Sequence, residues 1–451
     1  MSAPCPLDAA PLAVRTDEPL GVERLFLRLF ADSEASFWLD AGARASRGWS
    51  ILGTGGIEPD PSRVRAVELA GPTPASPAPA GDGIPFHGGW VGWLSYEQGA
   101  AALGAPVSGP DRGSAWIVVD RAVAVDHATG RVFALAAPAR LAQWRAQVQA
   151  LLERLVPAPP PPSPAVVVAT ARHGVVEYQA MIEQCRAAIG RGDAYQLCLT
   201  TRFTVPRPAD PIAVYRRLRR ATPAHHGGFL RIGDRLLLSA SPEQFLSVAG
   251  GSVSTSPIKG TRPRGATAEE DARLVEELRT DAKERAENVM IADLMRNDLS
   301  RVSVPGTVRV RRLWDVESYP AVHQLVSTVD ARLQERITVG DLVDAVFPAG
   351  SMTGAPKLSA MTILAGLEQA PRGVYSGCFG HVGLDGRADL AMVIRSVVVE
   401  QDEAQVGAGG GITWLSRPDA EVAEVAIKAR APLAALGAVV PAEWAAVAQS
   451  R

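Results

Sequence analysis

A fold of mixed α/β or α+β class is predicted by three features of the chain. Strand-like alternation and helix-like spacing interleave over about 270 residues that follow a proline-rich stretch at 157–164. No internal repeat runs through those residues. The 451 residues are 47% hydrophobic and 21% charged, a balance ordinary for a globular chain with a large core.

The elements follow in order. Residues 1–20 are rich in Pro and Ala and are expected to be a mobile arm. Leu25, Phe26, Leu29 and Phe30 have helical spacing. Residues 36–39 read as a strand, with 49–53 as its hairpin partner or neighbour. Residues 71–83 form a low-complexity Pro/Ala loop. In FHGGWVGWLSYE the glycines suit close backbone approach, and the aromatics suit core. Strands at 115–125 and 132–136 and a helix at 139–155 lead into the proline-rich connector, which marks the boundary between 1–156 and 165–437.

After it come a helix at 177–189, a strand at 194–200 and a hairpin turning at Gly233-Asp234. A strand end at 251–255 breaks into SPIKGTRPRG, so Lys259 is expected on a constrained turn at a strand mouth. Residues 267–295 read as one long charged helix or a pair, started by Thr267 with Glu270 at capping-box spacing. Helices at 339–345, 360–368 and 421–429 alternate with strands at 377–382 and 390–399.

Composition restricts the function classes. The formal charge is −2, from 46 basic and 48 acidic residues, which argues against nucleic acid or an anionic membrane as the main partner. No signal peptide is read in the first residues, and no apolar run of about twenty spans a bilayer. The four cysteines are widely spaced without CxxC, so neither a disulfide framework nor a zinc site is expected; a reducing cytoplasm fits.

Several residues carry candidate chemistry. Lys259, between an apolar residue and a glycine, is either a solvated turn lysine or a desolvated amine able to act as a nucleophile. Its order, Lys-Gly-Thr, is not that of a phosphate-binding loop. Glu284 with Glu287, and Glu421 with Glu424, are i,i+3 pairs. They are either two solvated helix faces or a shared oxygen site that favours Mg²⁺ over zinc. Arg395, inside an apolar strand, calls for a carboxylate partner from the protein or from a ligand. GAGGGI is not a dinucleotide fingerprint, yet its N–H groups suit a carboxylate.

The segments SASPEQF, PIKGTRPRG, DAKERAENVMIADLMRNDLSRV, YPAVHQLVSTV, FPAGSMTGAPKLSAM, RGVYSGCFG and GAGGGITWLSRPDAEVAEVAIKA occur in this order. Together they resemble the chorismate-utilising enzymes, strongly over 168–437 and more weakly before 156. The resemblance implies an α+β fold of two large β-sheets packed face to face with helices outside. It implies Glu287 and Glu424 as direct Mg²⁺ ligands, with Glu284 and Glu421 acting through water. It implies Tyr375, Arg395 and the amides of Gly409 and Gly411 as the site for the enolpyruvyl carboxylate, with Lys428 nearby and Thr261 and His323 lining the site. Glu243 resembles the general acid that protonates the departing C4 hydroxyl, which requires a raised pKa.

Two positions divide the branches of this family. Water-adding members carry a lysine where Gln196 stands, which disfavours isochorismate and salicylate synthesis. Anthranilate-forming members carry alanine where Lys259 stands. Lysine there implies covalent amination of chorismate to 4-amino-4-deoxychorismate, the precursor of p-aminobenzoate and folate, with anthranilate formation as the alternative and a non-catalytic scaffold as a third reading. Departures are Leu415-Ser416 for the usual Asp-Ser, and Leu39-Asp40-Ala41 where relatives bind tryptophan through Leu-Glu-Ser. No glutaminase cysteine stands in a nucleophile-elbow context, so a separate glutamine amidotransferase partner supplying ammonia is implied.

Overall fold

The structure, a computed structural model, describes residues 4–13, 21–69, 83–110, 112–154, 158–222, 224–319 and 322–449. The class is α+β. Hydrogen bonds link 20 strands into one network in which every pairing is antiparallel, and a separate two-stranded parallel pair joins Val167–Val168 to Ala438–Val439. Strands such as Gly89–Leu94 and Arg235–Ser241 are buried along their whole length, so the network is covered on both faces there.

Strands from the two ends of the chain are interleaved. Ala35–Asp40 pairs with His226–Ile232, and Gly89–Leu94 pairs with Cys378–Gly383. Their inner faces share a core cluster that includes Phe37, Ile51, Trp93, Leu230, Leu237, Phe379 and Val398. A larger cluster packs helices such as Val175–Gly190 and Pro418–Leu436 onto the outer face through Tyr178, Ile182, Val422 and Val425. The Gly89–Leu94 strand is buried throughout, so its tryptophans are core, as expected.

Three expectations need correction and one alternative is decided. Asp8–Leu12 is not a mobile arm: it pairs with Val132–Ala136 along its whole length. Leu12 is buried and Ala9 and Ala10 partly so, and the antiparallel pairing orders the segment against the disorder its composition suggests. The segment at 390–399 is two strands, Ala388–Met392 and Ser396–Glu400, broken at Arg395 with φ +52°. Of the two readings of 267–295 the pair of helices is the one found, Ala268–Thr280 and Ala282–Ser300, because Asp281 leaves the helical region and caps the second through Lys283 N and Glu284 N at 3.0 Å. Lys259 lies within a strand, Ile258–Pro263, not on a turn. The long partner Val322–Arg332 pairs with both Ser252–Thr255 and Ile258–Pro263, so the chain stays in the sheet past Pro257. The low-complexity loop at 71–83 falls almost wholly outside the described residues.

Candidate active site

Lys259 is aimed by a bulge. The register with Val322–Arg332 shifts between Ile258 and Thr261, and Gly260 in the middle has φ +81°. A Cβ there would stand 2.8 Å from Leu278 Cδ1, so both the angle and the space require glycine. The Lys259 side chain is mostly buried, and its Nζ lies 3.8 Å from Glu287 Oε2. The reading of a solvated turn lysine is thereby set aside.

Glu243 follows the strand Arg235–Ser241 and is buried. Met392 N donates to its carbonyl at 3.0 Å, and Ser351 Oγ donates to its Oε1 at 2.9 Å. Burial pushes its carboxyl up to about 7, opposed by the Ser351 hydrogen bond and by the ammonium charges of Lys259 and Lys428.

The four glutamates come from two helices, Ala282–Ser300 and Pro418–Leu436. Lys428 Nζ sits 2.7 Å from Glu424 Oε1 and holds that carboxyl down at about 2. Burial and then the Glu424 charge push Glu421 up; burial and then Glu287 push Glu284 up. Burial works against the Lys283 ammonium, but Glu287, Glu421, Glu424 and Glu284 together raise its pKa. Crowded carboxylates with residual like-charge repulsion are the donor chemistry of a hard cation. Among the described residues, no group of three or more His, Cys, Asp or Glu stands close enough to hold one, and lysines provide the counter-charge instead.

The glycine turn is the end of a strand, Glu403–Ile412, paired with Gln196–Pro206 so that Gly409 faces Thr200 and Gly411 faces Cys198. Thr200 N donates to Glu368 and Cys198 N to Thr353 O, both away from the glycine strand. These are therefore non-hydrogen-bonded pairs, in which the glycines' own N–H and C=O also point away from Gln196–Pro206. Lys428 Nζ donating to Gly409 O at 2.9 Å agrees with this. The strand on that side, Ser396–Glu400, pairs with Glu403–Ile412 only as far as Val398 opposite Gln405. The Gly409 and Gly411 amides lie beyond its reach.

A Cβ on Gly407 would fall 2.2 Å from the Tyr375 ring, and one on Gly411 would fall 3.3 Å from Lys259 Nζ and 2.3 Å from Gln196 Nε2. Tyr375, the turn and Lys259 are thus immediate neighbours. Burial lowers the Arg395 pKa, offset by Tyr375 and Glu424, and the guanidinium has no salt bridge among the described residues. Gln196 is fully buried, and neither end of its amide has a hydrogen-bond partner among the described residues.

Two expected lining groups stand apart. Thr261 is exposed. His323 is buried with its ring nitrogens 2.8 Å from Ser318 Oγ and 2.9 Å from Asp271 Oδ1, and none of its described contacts is to Lys259, Glu243 or the glycine turn. Ser351 was missed by sequence reasoning. It lies in the quoted FPAGSMTGAPKLSAM segment, but only folding brings it to Glu243.

A family model described as chorismate binding enzyme matches residues 22–434. The chain is 39% identical over 455 residues to an aminodeoxychorismate synthase of Streptomyces pristinaespiralis, covering 91% of this chain and 63% of that protein. It is 38% identical over 453 residues to an anthranilate synthase component 1 of Streptomyces coelicolor, covering 93% of this chain and 87% of that one. The crystal structure of an anthranilate synthase component I from Streptococcus pneumoniae superposes with a TM-score of 0.70 at 27% identity, over 95% of this chain and 92% of that chain. The chain thus spans just under two thirds of the Streptomyces pristinaespiralis relative.

Proposed function

The chain belongs to the chorismate-binding enzyme family, and on that premise we propose that it aminates chorismate to 4-amino-4-deoxychorismate. The observation that carries this reading is the mostly buried Lys259, 3.8 Å from Glu287 and close against Gly411 of the glycine turn. A lysine has no use there as a surface charge; once deprotonated its amine, with a buried acid in the same site half protonated near neutrality, suits nucleophilic displacement.

In the proposed reaction the free Lys259 amine attacks C2 of chorismate. The electron pair shifts around the ring and the C4–O bond breaks. Glu243 gives its proton to that oxygen, which leaves as water. Ammonia then attacks C4, the pair shifts back, the bond from C2 to Lys259 breaks, and a proton returns to Glu243. Tyr375, the Arg395 guanidinium and the Gly409 and Gly411 amides would hold the enolpyruvyl carboxylate. Among the described residues the half-buried guanidinium has no ion pair and the glycine amides have no strand partner, which supports that assignment. Glu287 and Glu424, with Glu284 and Glu421, would hold Mg²⁺ only after drawing together from the lysine-paired spacing described above; the ion would then supply positive charge for the ring carboxylate.

Ammonia would come from a glutamine amidotransferase partner. The buried thiols support this: burial pushes Cys185 up to about 12 and raises Cys198 and Cys378. The alternative, anthranilate formation, rests on the near-equal identity to the Streptomyces coelicolor relative. Incubation with chorismate, Mg²⁺ and an ammonium salt, with products resolved by mass, decides between them. Aminodeoxychorismate, converted to p-aminobenzoate by added lyase, is expected. Anthranilate would overturn the proposal.

A further inference from the structure

Behind Gln196–Pro206, on the side away from the glycine turn, lies an ion pair that the proposed chemistry does not touch. Arg372 and Glu368 are 3% and 4% exposed and meet through two hydrogen bonds of 2.8 and 2.7 Å. The same guanidinium donates to the carbonyls of Met352 at 2.6 Å and Cys198 at 2.8 Å, and lies 4.4 Å from the Tyr96 ring centroid. Glu368 Oε1 accepts from Thr200 N at 2.9 Å and Thr200 Oγ1 at 3.0 Å. Glu97, also buried, accepts from the amides of Arg372 at 2.6 Å and Gly373 at 2.9 Å.

A buried ion pair is a poor way to add stability, because desolvation offsets the attraction and an apolar pair of similar volume packs as well. What distinguishes this pair is where its bonds end. Cys198 and Thr200 are the residues that face Gly411 and Gly409 in the ladder, and Tyr375 lies two residues beyond Gly373. Every group assigned to the enolpyruvyl carboxylate except Arg395 is backed by a residue that this network grips.

We infer that the Arg372–Glu368 pair, together with Glu97, is a positioning device that fixes the Gly409 and Gly411 amides and Tyr375 for the side-chain carboxylate of chorismate. The inference rests on the chorismate reading of the site. The pair holds the strand from behind, so the amides keep their spacing when the ligand is absent and binding needs no rearrangement.

The test is the double variant Glu368→Leu/Arg372→Met, which removes both charges together and leaves none buried unpaired. Two ligands are compared: chorismate, and the ring portion of chorismate lacking the enolpyruvyl group, used as a competitive inhibitor. The expected result is a rise in the chorismate KM on the order of 10- to 100-fold, a smaller change in kcat and an unchanged inhibition constant for the truncated ring. Equal weakening of both ligands, or of neither in a folded variant, overturns the inference. Thr200→Val keeps both charges and removes only the hydroxyl contact; it is read in the same way if the double variant does not fold. A wild-type protein inert to chorismate would overturn the reading of the site and this inference with it, so the wild-type arm tells the two failures apart.

Discussion

At the scale of the residue, the state of Glu243 follows from its surroundings. Burial raises its carboxyl to about 7, and Ser351, Lys259 and Lys428 limit the rise. An unfolded glutamate titrates near 4.5, so between 4.5 and about 7 the folded chain binds the extra proton and stability falls as pH rises. Above 7 the penalty is complete, on the order of 3 kcal/mol. Glu243→Gln is therefore expected to raise the unfolding midpoint relative to wild type at pH 8 and not at pH 4.5; equal differences at both would contradict the shift. As the proposed acid, Glu243 must be protonated, so kcat at fixed free ammonia should fall as pH rises through about 7. Ser351→Ala removes a bond that lowers this pKa, so the fall should move to higher pH; an unmoved profile would show that the hydroxyl does not act on the acid. Glu243 was legible in SASPEQF through the resemblance, but its partner 108 residues away was not, since no local pattern encodes a contact between a strand end and a distant turn.

At the scale of the element, periodicity gave most strands and helices, and the misses fall where backbone leaves the regular regions. Arg395 with φ +52° splits one apolar run into two strands, and Gly260 with φ +81° keeps Lys259 in the sheet where the local Pro and Gly suggested a turn. Neither is visible to a pattern that counts apolar residues at a fixed spacing. Gly260→Ala would force a side chain into a positive-φ position and against Leu278, which should cost about 1–2 kcal/mol in unfolding free energy and reduce chorismate turnover by displacing Lys259. Wild-type stability and turnover would show that the bulge is not required. The two glutamate helices carry a second expectation. Glu287→Gln and Glu424→Gln keep shape and remove one charge each, so turnover should be lost in both; the unfolding midpoint should stay close to wild type in Glu287→Gln and fall in Glu424→Gln, which also loses its pairing with Lys428. Wild-type turnover at limiting Mg²⁺ would contradict the metal assignment.

At the scale of the whole molecule, the site draws on strands and helices between Gln196 and Lys428, while the first part of the chain supplies neighbouring strands of the same network and Glu97. The order of motifs along the sequence was enough to identify the family, because Glu243, Lys259, the four glutamates, Tyr375 and the glycine strand all lie within them. The strand order was not legible: Ala35–Asp40 lies beside His226–Ile232 and Gly89–Leu94 beside Cys378–Gly383, and edge-to-edge pairing leaves no trace in the period of either partner. No described helix is long and apolar enough to cross a membrane. Purified alone, the chain should use ammonium salts and not glutamine, with activity rising as ammonium gives way to ammonia up to the Glu243 limit. Glutamine-dependent product from the isolated chain would contradict the two-component picture.

The central claim is that Lys259 forms a covalent bond to the substrate. Chorismate supplied with Mg²⁺ and without ammonia should trap part of the protein as a C2 adduct. Intact-mass measurement should then show a gain equal to chorismate minus water, with peptide mapping placing it on Lys259 and Lys259→Ala showing none. An adduct that persists in Lys259→Ala, or that never forms in the wild type under these conditions, would contradict the account.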